Sequence, residues 1–541
     1  MPSIFPLARV NFTLLSCLLA TAAGEAYNRE RCYRKVQSML AEGTLASNDT
    51  CFYRDDHGTI WSTPESPVLT LNSCNEMCGA DFGWYVDIGP RLSTWLIPVF
   101  LLLSNMEVSP LDKRRYLMIL HLLGDPIDSL WSLLSKLEAW SRCYRLAAGM
   151  YDATERTKIR NTATVLGGFE DLVGFRDNPV EVYTKILSSA TVKGNKLDIL
   201  ISRTAQQLAD SRTDERLRTL LATTLYVYQI VSAFVATVGG GYTSPPGGRI
   251  GITMFMTWVI PSILLSNAIG GFTSRRTCYT ILESFVQDAT TQDTISQEVI
   301  SQEAISQDVT GQDTISQRDG WQVLQYAAPN LNHYHSVHEY FDNLAWSGAV
   351  YSYRPKKVLV FASGPRDKSP TFLLCLAAAP IITSSFIATM ILWNTPPIGI
   401  NCRNILVFVM TSLVFLSALF TQISSSFFNG SRHWHIVLVK DALIAIPSVV
   451  LIFLACAGRF NSCWCWSGVY SLGAEARVPL NAFPYFVIYN RTTYPALVAV
   501  CLTLQCAAFI GMMWVGWRGW NMMRWSEEEK KVEWRERRRL S

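Results

Sequence analysis

Apolar residues in this chain gather into runs of about twenty, the length at which a helical rise of 1.5 Å per residue crosses roughly 30 Å of hydrocarbon. The runs predict seven transmembrane helices. The first occupies residues 90–109; a hairpin fills 218–271, its arms at 218–238 and 249–270 joined by a Gly/Pro-rich link; the segment 370–517 holds four more, at 370–393, 405–427, 436–457 and 495–517. The expected class is all-α, a polytopic helical membrane protein of about seven transmembrane helices.

Ahead of the first run, residues 1–24 carry Arg9, an apolar stretch from Phe12 to Ala20 and then small residues, the order of a secretory signal peptide. Residues 25–89 then form a lumenal or extracellular segment, expected to be a small disulfide-bonded N-terminal ectodomain. Its cysteines are Cys32, Cys51, Cys74 and Cys78. An oxidising compartment makes two disulfides among them the expected outcome, with the pairing left open by spacing. Cys402 and the Cys463/Cys465 pair fall in neighbouring lumenal loops, where one bridge would tie the two together. Sequons at Asn48 and Asn490 are expected on the lumenal side and usable, and Asn429 on the cytosolic side and silent.

Between the spans, residues 110–217 are expected to be a cytosolic helical region. Its apolar stretch from Tyr116 to Leu123 is too short to cross alone, and Gly124-Asp125-Pro126-Ile127-Asp128 reads as one helix ending and another starting. Gly124 suits the residue after a helix end, Asp125 an N-cap, Pro126 the first helical position and Asp128 the first turn. From Ile127 onward, Leu130, Leu133, Leu134, Leu137 and Trp140 recur at helical spacing with polar residues on the other faces, which predicts an amphipathic helix in the cytosolic interface. The second cytosolic loop, 272–369, contains six pentapeptide units across 288–317. A polar repeat with a period of five suits neither helix nor strand and reads as a low-complexity tether.

Composition fits this picture and narrows the chemistry. The 541 residues are 49% hydrophobic and only 17% charged, where a soluble chain is about a quarter charged. Predicted cytosolic segments hold most of the 47 lysines and arginines, as the positive-inside rule requires. A formal charge of +4 without a basic stripe excludes a nucleic-acid partner. The expected partners are the lipid bilayer and, at the basic tail 518–541 with its tryptophans, anionic lipid. No small-molecule ligand is specified.

Candidate chemistry is sparse. His333, His335 and His338 are zinc-type ligands, but their spacing matches no metalloprotease helix and a solvated loop is the preferred reading, so no cofactor or metal is expected. Asp125 and Asp128 form a D-x-x-D with His121 one turn earlier, a pattern able to hold magnesium against diphosphate, although helix capping accounts for the same residues. Charges at membrane depth are functional candidates by default: Asp87 and Arg91 at the lumenal lip, and Lys440 and Asp441 one turn inside the sixth span, from which the lysine would snorkel outward. Nucleotide-hydrolase, serine-hydrolase and zincin motifs are absent, and no catalytic residue is assigned.

The stretches Asp87–Pro98, His121–Trp131 and Val238–Arg249 resemble those of multi-pass membrane proteins of filamentous fungi, a family without an assigned activity. The resemblance covers most of the chain outside the repeat and implies the polytopic fold, but neither substrate nor catalytic residues. Transport of a small molecule or ion is the first functional expectation. A seven-helix receptor or sensor is the alternative, and a membrane-embedded enzyme using Asp125 and Asp128 comes third.

Overall fold

The computed structural model describes residues 29–44, 67–78, 88–104, 115–173, 179–211, 219–228, 231, 246–269, 275–290, 369–395, 399–427, 431–458, 462–473, 476–480 and 492–522. The expected signal peptide, Asn48, Cys51, Asp87, residues 291–317 of the pentapeptide repeat, His333, His335, His338, Asn429, Asn490 and residues 523–541 of the basic tail lie outside them.

The described chain is mostly helical. Helix α1 (Arg29–Ala41), strand β1 (Val68–Thr70) and α2 (Leu71–Cys78) precede α3 (Ile88–Trp95) and α4 (Ile97–Ser104). Next come α5 (Arg115–Gly124), α6 (Pro126–Met150), α7 (Arg156–Val173), α8 (Pro179–Ser189) and α9 (Asn195–Asp210). Helix α10 (Pro246–Phe255) runs through a 3₁₀ turn into α11 (Val259–Ile269), followed by α12 (Arg275–Thr290). The last part comprises α13 (Pro370–Trp393), α14 (Cys402–Phe427), α15 (Ser431–Cys456), the short α16 (Cys463–Trp466) and α17 (Val469–Leu472), β2 (Arg477–Pro479), α18 (Tyr494–Val515) and α19 (Trp517–Met522).

Five stretches among the described residues are long and apolar enough to cross a membrane: Gly248–Ile269, Pro370–Trp393, Cys402–Ser424, His435–Cys456 and Tyr494–Val515. A sixth candidate is the pair α5 and α6, bent by 108° at Asp125. The other two predicted spans are shorter here, as Arg91–Ser104 and Thr219–Tyr228. The first of these breaks between α3 and α4, where Pro98 supplies no backbone N–H to continue the ladder.

One end of the bundle carries a disulfide-bonded cap. Strand β1 pairs antiparallel with β2, Leu69 opposite Val478. Cys32 bridges Cys78, Cys74 bridges Cys463 and Cys402 bridges Cys465. The last is the inter-loop bridge expected from sequence. The expectation of two bridges confined to the N-terminal cysteines is corrected: one lies within that segment, and Cys74 reaches 389 residues along the chain. The cap is therefore composite, with the N-terminal segment and the loop after α15 sharing a core of Val36, Leu69, Trp466 and Val478. Short segments generally bury too little apolar surface to fold alone, which favours disulfide-linked, shared cores.

At the opposite end, α6 lies across the bundle like a crossbar. Trp131 Nε1 donates to the Pro370 carbonyl at the start of α13, and the Gly519 N–H donates to Ser141 Oγ. Every residue from Pro126 to Ser141 is buried, so the expected amphipathic interfacial helix has no exposed face over that length. The physical reason lies in the rest of the loop. Helix α7 covers the polar side of α6, where Lys136 approaches Asp171 at 3.7 Å, Arg142 meets Glu170 at 3.4 Å and Trp140 Nε1 donates to Asp171 at 3.2 Å. Helices α7, α8, α9 and α12 share a core that includes Phe169, Tyr183, Leu208 and Phe285. The two loops flanking the predicted hairpin thus fold as one helical unit. On its surface, hydrogen bonds to Asp198 and then Glu155 hold the Lys158 ammonium above its ordinary range.

Candidate functional site: a buried chain of acids and bases

The site forms where the α5–α6 bend meets α14 and α15. Pro126 at the first position of α6 has no N–H to lose, and Asp125 caps that helix, its Oδ1 accepting from the Asp128 N–H at 3.0 Å. The cap reading of Asp125 holds. Gly124 has a different role from the one expected: it belongs to α5, and a Cβ there would sit 2.7 Å from the Asp441 Cα. The missing side chain lets the bend press directly on α15, bringing Asp125, Asp128 and His121 against Lys440 and Asp441.

Five ionisable side chains then alternate in sign. His121 Nε2 lies 3.4 Å from Asp128 Oδ2, and His121 Nδ1 lies 2.6 Å from Asp441 Oδ2. Lys440 Nζ is 3.0 Å from Asp441 Oδ1 and donates to Asp125 Oδ2 at 2.6 Å. The order is acid, base, acid, base, acid. His121, Asp125, Asp128 and Asp441 are 0% exposed and Lys440 is 9% exposed. Helix α14 contributes neutral partners: Lys440 Nζ donates to Ser417 Oγ at 2.8 Å and Thr421 Oγ1 at 2.6 Å, Thr421 donates to Asp125 Oδ2, and Ser417 donates to the Gly124 carbonyl at 2.7 Å. The same Asp125 carboxylate therefore caps α6 with one oxygen and pairs with Lys440 through the other.

These distances settle several sequence expectations. Lys440 does not snorkel to the bundle end; it turns inward, because Asp125 and two hydroxyls satisfy its ammonium there. The D-x-x-D pair and the Lys440-Asp441 pair, separate candidates in the sequence, belong to one site. Ser417 and Thr421 are not among the sequence candidates, although with Ser424 they place hydroxyls at i, i+4 and i+7, one face at helical period in a helix that carries several other polar residues. Arg91 stands apart, at the disulfide end. It is 2% exposed and donates to the Ala455 carbonyl at 3.0 Å.

Charge balance limits what the chain of five can do. Uncompensated charge in a low-dielectric interior costs several kcal/mol. Among the described side chains, two bases face three carboxylates. Asp128, at one end of the chain and at 3.4 Å from His121, has the loosest of the four ionic contacts. His121 lies between Asp128 and Asp441 in the chain of five.

The described residues form a helical protein with five or six membrane-length helices and a buried acid–base cluster at one end. Comparison with known proteins adds little. No family model matches the chain, and no solved structure matches it. A stretch of 106 residues, 19% of this chain, is 32% identical to replicase polyprotein 1ab of porcine reproductive and respiratory syndrome virus, strain Lelystad. The same polyprotein of isolate Pig/United States/SD 01-08/2001 is 30% identical over 106 residues. The chain spans 2% and 3% of those polyproteins, a likeness too partial to place it in their family.

Proposed function

We propose that this is a multi-pass membrane protein whose buried cluster binds and releases one proton, and that the exchange drives or gates movement of a small molecule or ion. The observation that carries this reading is the acid-base-acid-base-acid chain at 0–9% exposure, with three carboxylates facing two bases. Ionisable groups at membrane depth are costly and are retained where they relay protons or bind a cargo. The cluster is built from three separate segments, the α5–α6 bend, α14 and α15, so a change of protonation alters the attraction between them. A membrane-embedded enzyme using Asp125 and Asp128 is less well supported, since both carboxylates are enclosed and Asp125 is already engaged by Lys440.

Topology supports the seven-span arrangement through parity. Disulfide partners occupy one side of a membrane, so an even number of crossings separates Cys74 from Cys463. Four of the membrane-length helices lie between them. Of the first apolar segment, the bent pair and the Thr219–Tyr228 segment, an even number must therefore cross. Taking the first and third as spans and the bent pair as re-entrant gives seven, with the acid–base cluster on the cytosolic side and the cap outside.

The test is charge displacement on a pH jump, recorded from proteoliposomes on a solid-supported membrane without added substrate. The wild type is expected to give a transient current that Asp128→Asn reduces at least severalfold, while Lys158→Gln, on the far helical unit, leaves it unchanged. Equal transients from wild type and from monodisperse Asp128→Asn and Asp441→Asn proteins would rule out proton exchange at this cluster.

A further inference from the structure

At the disulfide end, a cavity of about 290 Å³ opens between α3, α14, α15 and the cap. An apolar cavity of roughly 150 Å³ already holds a benzene-sized body. The lining is mostly apolar and aromatic, with Trp95, Leu406, Leu451 and Trp466 among it. Its charged and amide members already have partners within the protein. Arg91 donates to the Ala455 carbonyl at 3.0 Å and lies over the Trp95 ring, while the Arg403 guanidinium stacks on Trp466, with Cζ 4.6 Å from the ring centre. Asn401 accepts the N–H groups of Arg403 and Asn404 and donates to the Leu392 carbonyl. Cys402 and Cys465 are joined to each other, so neither offers a thiol. A charged solute would give up its hydration here to groups that are already engaged.

The helix that forms one wall shows what lies outside it. Val409, on the cavity wall, is 44% exposed, and Leu416, Phe420 and Ile423 follow it along α14 at i+7, i+11 and i+14, all exposed. That spacing keeps the four on one helix face. They belong to the stretch Cys402–Ser424, long and apolar enough to cross a membrane, and at membrane depth such a face is covered by lipid hydrocarbon. The cavity is therefore the cap-side end of an apolar track. Its walls are held covalently, because the Cys402–Cys465 bridge ties the start of α14 to the cap helix that carries Trp466.

We infer that this cavity receives an acyl chain of a membrane lipid, entering from the bilayer beside Val409. A flexible chain places only part of its length in the cavity and lays the remainder along Leu416, Phe420 and Ile423. A rigid sterol has to fit its ring system whole, and a space at the lower limit of small-molecule pockets favours the chain. The inference rests on the membrane reading of the fold and not on proton exchange, since the cavity shares no side chain with the acid–base cluster.

Photolabelling of the full chain in phosphatidylcholine nanodiscs tests this. The probe is trace phosphatidylcholine with a diazirine in one acyl chain, and a diazirine sterol is used in a parallel sample. The reference position is Phe386, exposed on α13 and as far from the cap-side end of that helix as Val409 is from the start of α14. The acyl probe is expected to label Leu406 and Leu451 severalfold more than Phe386. V409W, at an exposed rim position, and A455F, which fills the cavity from α15, are each expected to cut that labelling severalfold while leaving Phe386 unchanged. Cavity labelling no higher than at Phe386 overturns the inference, as does labelling that persists in both variants when they elute as the wild type on size exclusion. Stronger cavity labelling by the sterol than by the acyl probe overturns the choice of an acyl chain. Absence of label at Phe386 as well would overturn the membrane reading itself.

Discussion

Asp125 has two separable duties, and a conservative substitution distinguishes them. Asparagine is as good an N-cap as aspartate, so Asp125→Asn should keep the Oδ1 contact to the Asp128 N–H while removing the charge that faces Lys440. Asp125→Ala loses both. Thermal unfolding in detergent is expected to show Asp125→Ala less stable than Asp125→Asn by about 1 kcal/mol, the usual size of a cap. The ion pair has a different signature. Lys440→Met removes the cation that Asp125 and Asp441 face and should cost about 3–5 kcal/mol, whereas Asp125→Asn with Lys440→Met should cost less than Lys440→Met alone, because the Asp125 charge is removed with its partner. Additive losses in that double-mutant cycle would mean that the pair is not energetically coupled.

At the scale of elements, two close approaches hold the crossbar. Gly124 presses the α5–α6 bend against α15, and Gly519 presses α19 against α6, where a Cβ would meet the Leu137 carbonyl and the Ser141 backbone. Backbone cannot yield as a flexible side-chain tip does, so Gly124→Ala should push the bend away from α15 and lengthen the contacts of Lys440 and His121. The expected cost is about 1–3 kcal/mol, as for overpacking elsewhere, together with a reduced pH-jump transient. Gly519→Ala should cost a similar amount in melting temperature while leaving the transient largely intact, because α19 touches α6 at Leu137 and Ser141, well along the helix from Asp128. Helix α6 also shows why amphipathicity is an incomplete guide. Its apolar and polar faces are visible in the sequence, yet Lys136 and Glu138 are buried, since α7 and its own Arg145 supply the partners.

For the whole molecule, the cap and the bundle are tied by covalent links whose partners are far apart in sequence. Non-reducing peptide mapping is expected to recover Cys74 joined to Cys463 and Cys402 joined to Cys465; recovery of Cys74 joined to Cys51 instead would dissolve the composite cap. Parity makes the matching topological prediction. Asn48→Gln and Asn490→Gln should each remove one glycan from the protein made in a secretory system, and Asn429→Gln should remove none. With Cys74 joined to Cys463 and Cys402 to Cys465, Asn429 lies on the side opposite the cap, so glycan on Asn429 together with Asn48 or Asn490 would be incompatible with those bridges.

The sequence by itself determined the long apolar helices, because a run of about twenty apolar residues has few places to go except a bilayer or a large core. It also determined the break at Asp125: capping and proline effects act within one turn, so they are written locally. Tertiary structure decided what those pieces do together. His121 and Asp441 are 320 residues apart, and Asp125 and Lys440 are 315 apart. No local pattern encodes such a meeting; it depends on Gly124 admitting α15 and on the α5–α6 bend turning inward. The same holds for Cys74 and Cys463, and for the two arginines of the cap-end cavity. Residue types announce that a charge needs a partner, and only packing in three dimensions chooses which partner it receives.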